Sequence, residues 1–369
     1  MKFLISGGGT GGHIYPALSI AHRIKKDYPD ADILYIGTEK SMEADIVPKE
    51  GFQFKTIRVK GFTRKISMDT LKTAKELLLG LNDARKIIKK YSPNIVIGTG
   101  GYVCGPLVLM ASLKGVPTLI HEQNALPGVT NRILSRFVDQ VAGSFDESKK
   151  YFKDNSKVTI TGNPIRESIL EIDKKEAYKK LKVDPNKKLV LVFGGSGGQQ
   201  SLNDAMIETI KNHINNKLIQ ILHVTGKRHY DKFMNNLKKN DIDISSNNNI
   251  IIVPYLFQMP EAESISDLII TSGGAISIAE ITAIGIPSII VPKAYTTDNH
   301  QEFNARALEK SGASKMILEK DLNGQKLSDM IDSLLNDHNK LGSMARNSKK
   351  IGKTDAVDKI MSIVDNMIK

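Results

Sequence analysis

Hydrophobic and polar positions alternate along this chain in two registers. Short, largely apolar segments of strand length lie at 2–6, 32–37, 52–57, 94–99, 117–121 and 139–143. Between them, near 16–28, 42–50, 69–91, 105–114 and 127–136, apolar residues recur every three to four positions, the period of a helix. Strands alternating with helices wind into a parallel sheet covered on both faces. Turn residues break the pattern at 161–164 and a lysine-rich helix follows. A second series then opens, with strands at 188–193, 218–224, 249–253, 267–271, 287–291 and 314–318 and helices starting near Gln200, Arg228, Ala275, Asn299 and Gln325. The pattern predicts an α/β protein of two doubly wound parallel-sheet, Rossmann-like domains, 1–163 and 164–354. The last helix, 355–369, is expected to pack back on the first domain.

Such sheets collect ligands at the carboxyl ends of their strands, and the unusual residues of this chain sit there. Gly7-Gly8-Gly9-Thr10-Gly11-Gly12-His13 follows the first strand, Gly100-Gly101-Tyr102 the fourth, and His121-Glu122-Gln123-Asn124 the fifth. The second series has its own loop, Gly194-Gly195-Ser196-Gly197-Gly198. Glycines admit positive φ and close approach, and the helix behind them presents unpaired N–H groups and a partial positive charge. The first loop therefore suits a phosphate or an anionic leaving group. Its spacing is not the dinucleotide fingerprint, and His13 stands where the helix begins.

Composition narrows the class. With 40% hydrophobic and 25% charged residues this is a globular chain, and no run approaches the ~20 apolar residues of a membrane-crossing helix. The N-terminus runs directly into a strand instead of a signal peptide, which predicts a protein that stays in the cytoplasm. The single cysteine, Cys104, excludes an internal disulfide or a thiolate metal cluster. A formal net charge of +12 points to a phosphate-rich partner or an anionic membrane surface. Nucleic acid is the weaker option, since tryptophan is absent and no stacking motif or recognition helix is evident.

Taken in order, Gly9-Thr10-Gly11-Gly12-His13, Gly100-Gly101-Tyr102, His121-Glu122-Gln123-Asn124, Gly162-Asn163-Pro164-Ile165-Arg166, Gly194-Gly195-Ser196 and Gly274-Ala275 through Glu280 resemble the motifs of the MurG family of glycosyltransferases over nearly the whole chain. The resemblance implies two domains of the glycosyltransferase B type facing a cleft, the second holding the donor and the first the acceptor. The implied reaction is inverting transfer of N-acetylglucosamine from UDP-N-acetylglucosamine to the N-acetylmuramyl sugar of undecaprenyl-pyrophosphoryl-linked lipid I, giving the β-1,4-linked disaccharide of lipid II. The implied location is peripheral, on the cytoplasmic face of the membrane. Implied donor contacts are Thr10, Gly11, Gly12, Asn124, Arg166, Ser196, Leu256, Ala275, Ile276, Glu280 and Gln301; Tyr102 lies on the acceptor side. The chain departs from the family pattern at Ser272, where an Arg is usual, at Gly197 and Gln199 after Ser196, and at His300.

Two residues are candidates for the base that removes the acceptor hydroxyl's proton. His13 has the suitable pKa range, and the helix N-terminus beneath it disfavours its protonated form; Glu122 is the second candidate. Transfer also needs the departing diphosphate neutralised, by a metal or by fixed dipoles and cations. The two Asp-x-Asp triplets, Asp30-Ala31-Asp32 and Asp241-Ile242-Asp243, fall in polar turns next to strand starts, so no metal cofactor is expected. The helix 69–91 offers a membrane surface: Leu71, Ala74, Leu78, Leu81, Ala84 and Ile88 face the core, while Lys72, Lys75 and Lys86 surround an outward Leu79, after a loop carrying Lys60, Phe62, Arg64 and Lys65. Alternatives on the same scaffold are a UDP-N-acetylglucosamine 2-epimerase, a transferase acting on another lipid, and a non-catalytic nucleotide-sugar sensor.

Overall fold

Residues 1–60, 68–195, 197–245, 248–296 and 299–368 are described by the structure, a computed structural model. The first unit, Met1–Ile165 with Thr354–Lys369, opens with β1 (Lys2–Ser6), α1 (Gly11–Asp27), β2 (Asp32–Gly37), α2 (Met42–Lys49), β3 (Gln53–Thr56) and α3 (Met68–Tyr91). It continues through β4 (Ile95–Gly98), α4 (Cys104–Leu113), β5 (Thr118–Glu122), α5 (Val129–Leu134), β6 (Gln140–Gly143) and β7 (Val158–Ile160). The second unit, Arg166–Lys353, runs α6 (Lys174–Leu181), β8 (Lys188–Phe193), α7 (Gln200–His213), β9 (Ile219–Val224), α8 (Tyr230–Lys239), β10 (Ile250–Val253) and α9 (Met259–Ile265). It closes with β11 (Leu268–Thr271), α10 (Ala275–Ile284), β12 (Ser288–Ile290), α11 (His300–Lys310), β13 (Ser314–Met316), α12 (Gly324–Leu335) and α13 (His338–Ile351). The terminal α14 (Ala356–Ile368) belongs to the first unit.

Both sheets are parallel, in the orders β3-β2-β1-β4-β5-β6-β7 and β10-β9-β8-β11-β12-β13. In each, the winding reverses beside the first strand: β1 lies between β2 and β4, and β8 between β9 and β11. Reversal leaves a crevice at the carboxyl ends of the strands that flank it. The glycine loops after β1 and β8 therefore meet Thr99–Gly101 after β4 and Ser272–Gly274 after β11. The strands earn this burial with uninterrupted apolar runs, such as Phe3-Leu4-Ile5 and Leu189 through Phe193, all 4% exposed or less. In α14, Val357, Ile360, Met361 and Val364 follow the helical spacing and share one core with Ile14, Ala17 and Ile24 of α1. Arg23 pairs with Asp358 at 2.6 Å, and the Tyr28 hydroxyl donates to Asp365 at 2.6 Å.

Three elements escape the periodicity reading: β7, α9 and α13. The first two are too short to show a period. The last carries its signal in a cap, the Asp337 carboxylate accepting from the Lys340 amide at 2.9 Å. Helix α1 also starts earlier than expected, at Gly11 rather than near Pro16. The face predicted for α3 needs correction. Leu78 points outward, 68% exposed, while Leu79 is half-buried, and the buried positions are Thr73, Gly80, Ala84 and Ile88. Gly80 sets this rotation, because a Cβ there would fall 2.3 Å from the Arg58 carbonyl oxygen, so the helix turns that residue inward. Leu78, two residues away and ~200° around the helix, must then face out. Leu71, Lys72 and Ala74 have side chains outside the described set, and Phe62, Arg64 and Lys65 lie outside the described residues altogether.

Each unit buries a histidine completely. Burial lowers His121, between β5 and its loop, and His223, on β9 beside Phe233, from the ordinary 6.5 to about 4. Between those values the unfolded chain binds protons that the folded chain excludes. Stability from these residues is complete above about pH 6.5 and erodes as pH falls toward 4, by on the order of 3 kcal/mol for each. Denaturant unfolding of the parent and of His223→Gln between pH 7.5 and 4.5 isolates one share: the parent's unfolding free energy should fall more steeply than the variant's, and parallel curves would contradict the assignment.

Candidate active site

The loop after β1 is held on three sides. Behind it, the Tyr35 hydroxyl donates to the Gly7 carbonyl at 2.6 Å, and Thr99 Oγ1 donates to the His13 carbonyl at 2.7 Å. On the β4 side, the Gly8 amide donates to the Gly100 carbonyl at 3.4 Å, and Gly100 and Gly101 both have positive φ. A Cβ on Gly101 would meet the Gly8 carbonyl oxygen at 2.3 Å, and one on Gly100 would meet the His13 ring at 2.8 Å, so only glycine fits at either position. On the third side stands Glu43, at the start of α2 and 0% exposed. Its carboxylate accepts from the Gly9 amide at 3.1 Å, the Thr38 amide at 3.2 Å and the Thr38 hydroxyl at 3.1 Å.

Glu43 changes the reading of this loop. The loop expected to suit an anion has one of its N–H groups, that of Gly9, already given to a resident carboxylate. What the loop offers instead is a carbonyl: Gly8 O lies 3.0 Å from His13 Nδ1, with Thr10 Oγ1 3.3 Å from the same nitrogen. A carbonyl oxygen can only accept, so Nδ1 carries the ring proton, and in the neutral imidazole the lone pair falls on Nε2. Gly11 and Gly12 form the first turn of α1 with Thr10 as its N-cap; amides in that turn have no acceptor within the helix. Tyr102, 36% exposed, brings its ring to 3.4 Å from the space beside Gly9. It also closes one end of a cavity of about 920 Å³ walled by Thr38, Phe54, Arg58, Lys60 and Lys86, where Arg58 forks onto Asp83 at 2.8 and 2.6 Å.

The 121–124 stretch braces the loop that follows β5. His121 accepts from Gln123 Nε2 at 3.0 Å and donates from Nε2 to the Gly162 carbonyl at 3.1 Å. Glu122, 2% exposed, accepts from the Asn124 amide at 2.9 Å, Asn124 Nδ2 at 3.1 Å, the Gly128 amide at 3.1 Å and Asn131 Nδ2 at 2.9 Å. Four donors occupy the carboxylate. This geometry revises its expected role as a base: Glu122 orients Asn124 and the N-terminus of α5.

The second unit brings several predicted donor residues together. Arg166, its first residue, directs Nε and Nη2 to the same oxygen of Glu280 at 3.2 and 2.9 Å. Glu280 is 7% exposed; burial raises its pKa and Arg166 opposes the rise. Beside it lies Glu263, 1% exposed and not predicted, whose pKa burial and the Glu280 charge push well above the carboxylate range. Ala275 and Ile276 open α10 behind the N-cap Gly274. Gln301 Oε1 accepts from the Lys293 amide at 3.0 Å, and Gly273 abuts the Gln301 backbone, leaving 2.3 Å to the oxygen for a Cβ. Leu256 packs in the core between β10 and α9 at 9% exposure. Ser196 lies outside the described residues, while Ser272 Oγ sits 3.4 Å from the Cβ position of Gly195.

The remaining predicted residues lie elsewhere. Lys75 and Lys86 are exposed along α3. Asp32 starts β2 at its amino end, and Asp241 and Asp243 follow α8, with Asp243 accepting from the Ser245 amide at 2.8 Å. Glu43 and Glu263 were not found by sequence reasoning. Glu43 reads as an ordinary acid in the first turn of α2; Thr38 is its local neighbour, and Gly9 is brought to it by the β1–β2 pairing.

Two parallel α/β units, each with a glycine loop at its switch point, define a glycosyltransferase fold of the B type. Residues 3–143 match the glycosyltransferase family 28 N-terminal domain and residues 189–360 the family 28 C-terminal domain, so the chain belongs to glycosyltransferase family 28. It is 52% identical over 369 residues, 100% of this chain and 99% of the relative, to the UDP-N-acetylglucosamine--N-acetylmuramyl-(pentapeptide) pyrophosphoryl-undecaprenol N-acetylglucosamine transferase of Acetivibrio thermocellus. The enzyme of the same name from Clostridioides difficile is 51% identical over 362 residues, 98% of this chain and 87% of the relative. Among solved structures, Acinetobacter baumannii MurG superposes with a TM-score of 0.77 at 25% identity, covering 99% of both chains. A UDP-GlcNAc 2-epimerase from Neisseria meningitidis bound to UDP-GlcNAc, at 0.71 and 15% identity over 99% of this chain and 100% of that one, shares the fold.

If Glu43 holds the first glycine loop, its removal must be costly. Glu43→Ala strands the buried Thr38 amide and the half-buried Gly9 amide, while the Thr38 hydroxyl keeps Ser41 Oγ, so we expect a loss of roughly 1–4 kcal/mol in unfolding free energy, with Glu43→Gln losing less. Chemical denaturation checks this; an Ala variant as stable as the parent would contradict the role.

Proposed function

We propose that this chain transfers N-acetylglucosamine from UDP-N-acetylglucosamine to the N-acetylmuramyl sugar of an undecaprenyl-pyrophosphoryl-linked acceptor, forming the β-1,4-linked disaccharide of lipid II in peptidoglycan synthesis. The observation that carries this reading is identity near 50% along the full chain to transferases named for that reaction. The fold alone does not choose between this and epimerisation, since the epimerase shares it at 15% identity. Full-length identity of 52% to transferases is what favours transfer.

In this reading, the acceptor hydroxyl attacks the anomeric carbon from the face opposite the UDP leaving group, so configuration inverts. As the new C–O bond forms and the bond to UDP breaks, His13 Nε2 takes the hydroxyl proton. Support comes from the Gly8 carbonyl, which holds the proton on Nδ1 and leaves the accepting lone pair on the other nitrogen. The donor belongs to the second unit, with Glu280 meeting the ribose hydroxyls and Arg166 near the diphosphate. Thr10, Gly11, Gly12, Asn124 and Gln301 are assigned to the sugar and phosphates, and Leu256 to the base. Tyr102 is assigned to the acceptor. The proposed reaction uses no metal, a reading supported by Asp32 standing at the amino end of β2 and Asp243 following α8.

A lipid-linked acceptor also implies peripheral binding at the cytoplasmic face. Among the described residues no helix is long and apolar enough to cross a membrane. Exposed Lys75 and Lys86 with the outward Leu78, in place of Leu79, support headgroup contact along α3.

Incubation with labelled UDP-N-acetylglucosamine, with and without lipid I, tests the reaction. Disaccharide lipid and UDP are expected only when the acceptor is present; epimerised donor formed without acceptor would overturn the proposal. For the base, His13→Asn keeps a hydrogen-bonding group but cannot take a proton near neutral pH. Its kcat should fall roughly 10²–10⁴-fold with donor KM little changed, and near-parent turnover would remove His13 from the chemical step.

A further inference from the structure

One buried acid of the second unit takes no part in the reaction as drawn. Glu263 stands on α9, whose Ala262 and Ile265 share a core with Ile281 of α10, the residue after Glu280. The two carboxyls are neighbours where α9 packs on α10, Glu263 at 1% and Glu280 at 7% exposure. Their hydrogen bonds differ. Glu280 receives both Nε and Nη2 of Arg166 on one oxygen, whereas Glu263 Oε2 is buried with no hydrogen-bond partner.

The surroundings leave one cation for the two acids. Among the described residues of the elements packed against α9, Lys180 of α6 pairs with Glu261 at 3.4 Å and Lys188 of β8 with Asp267 at 2.8 Å. Tyr178 of α6 stays neutral, its pKa raised by burial and then by Asp267. Burial lifts the Glu263 pKa well above the carboxylate range, the Glu280 charge adds to the rise, and Arg166 opposes it. Two ionised carboxylates on one half-exposed guanidinium would leave a buried negative charge uncompensated, so the proton settles on the carboxyl that lacks donors. Glu280 then carries the charge.

We propose that Glu263 is a positioning residue for donor binding: as a neutral acid it leaves Glu280 the only buried carboxylate beside Arg166, so the guanidinium is held by one charge and can turn to the donor diphosphate. A second carboxylate there would hold Arg166 back and repel the diphosphate. The inference rests on the donor reading above, in which Arg166 meets the diphosphate and Glu280 the ribose.

Calorimetry with UDP and with uridine on the parent and Glu263→Gln, from about pH 6.5 to about pH 9.5, tests it beside chemical denaturation over the same range. The amide mimics the neutral acid and cannot ionise, while every other titration is common to both proteins. At the lower end the two should bind UDP within about threefold of each other. As pH rises, the parent's UDP affinity should fall to roughly a tenth of the variant's, with uridine, which lacks the diphosphate, diverging less. Stability moves the same way: the folded chain keeps a proton that the unfolded chain has already released, so the parent's unfolding free energy should decline relative to the variant's toward high pH. Parallel UDP affinities while stability diverges would overturn the positioning role, and parallel behaviour in both would overturn the neutral acid. UDP binding by Glu263→Gln roughly tenfold weaker at the lower end would also overturn the proposal, since the carboxyl itself and not its neutrality would then be needed. A parent that binds neither UDP nor uridine would overturn the donor reading, and the stability divergence would still report the proton on Glu263.

Discussion

The hydrogen bond from His13 Nδ1 to the Gly8 carbonyl is the contact on which the proposed proton transfer depends. Gly8 is packed closely around that carbonyl: its amide donates to the Gly100 carbonyl at 3.4 Å, a Cβ on Gly8 would fall 2.4 Å from the Glu43 carboxylate, and one on Gly101 would meet the Gly8 carbonyl oxygen at 2.3 Å. Thr99, which ties the His13 backbone to the end of β4, fixes the other end of the same unit. A side chain on α1 is thereby placed by the ends of two adjacent strands and by a buried carboxylate, so its position is as rigid as the sheet itself.

The two glycine loops share a plan and differ in use. After β1, a resident carboxylate takes the Gly9 amide, and negative charge is built into the loop. After β8, Glu319 accepts from side chains at the end of the loop, Gln199 and Ser201, and Lys293 donates to the Gly198 carbonyl. In the proposed reaction the first loop holds the base that accepts the proton.

Much of this was legible in the alternation of apolar runs with helical periods, because strands buried on both faces cannot hide their composition. The switch-point loops were legible too, since five glycines within six residues exceed what a turn requires. Partners distant in sequence were not. Glu43 meets Gly9 across 34 positions, Arg166 meets Glu280 across 114, and neither spacing carries a local signal. Glu122 resembled a base because an acid at a strand end is chemically apt; only its four donors show it to be spent on the loop. Along α3 the predicted stripe holds at Ala84 and Ile88, which are buried, and fails at Leu78, which the close approach of Gly80 to the Arg58 carbonyl turns outward.

The central claim is that the protein holds His13 in one tautomer, with the proton on Nδ1. Nitrogen-15 NMR of the protein labelled at its histidine ring nitrogens, with His13 assigned by difference against His13→Asn, reads this directly at pH above the ring's titration. The account predicts a protonated Nδ1 and an unprotonated Nε2 for His13. A proton found on Nε2 would contradict it, since that nitrogen could not then serve as the base.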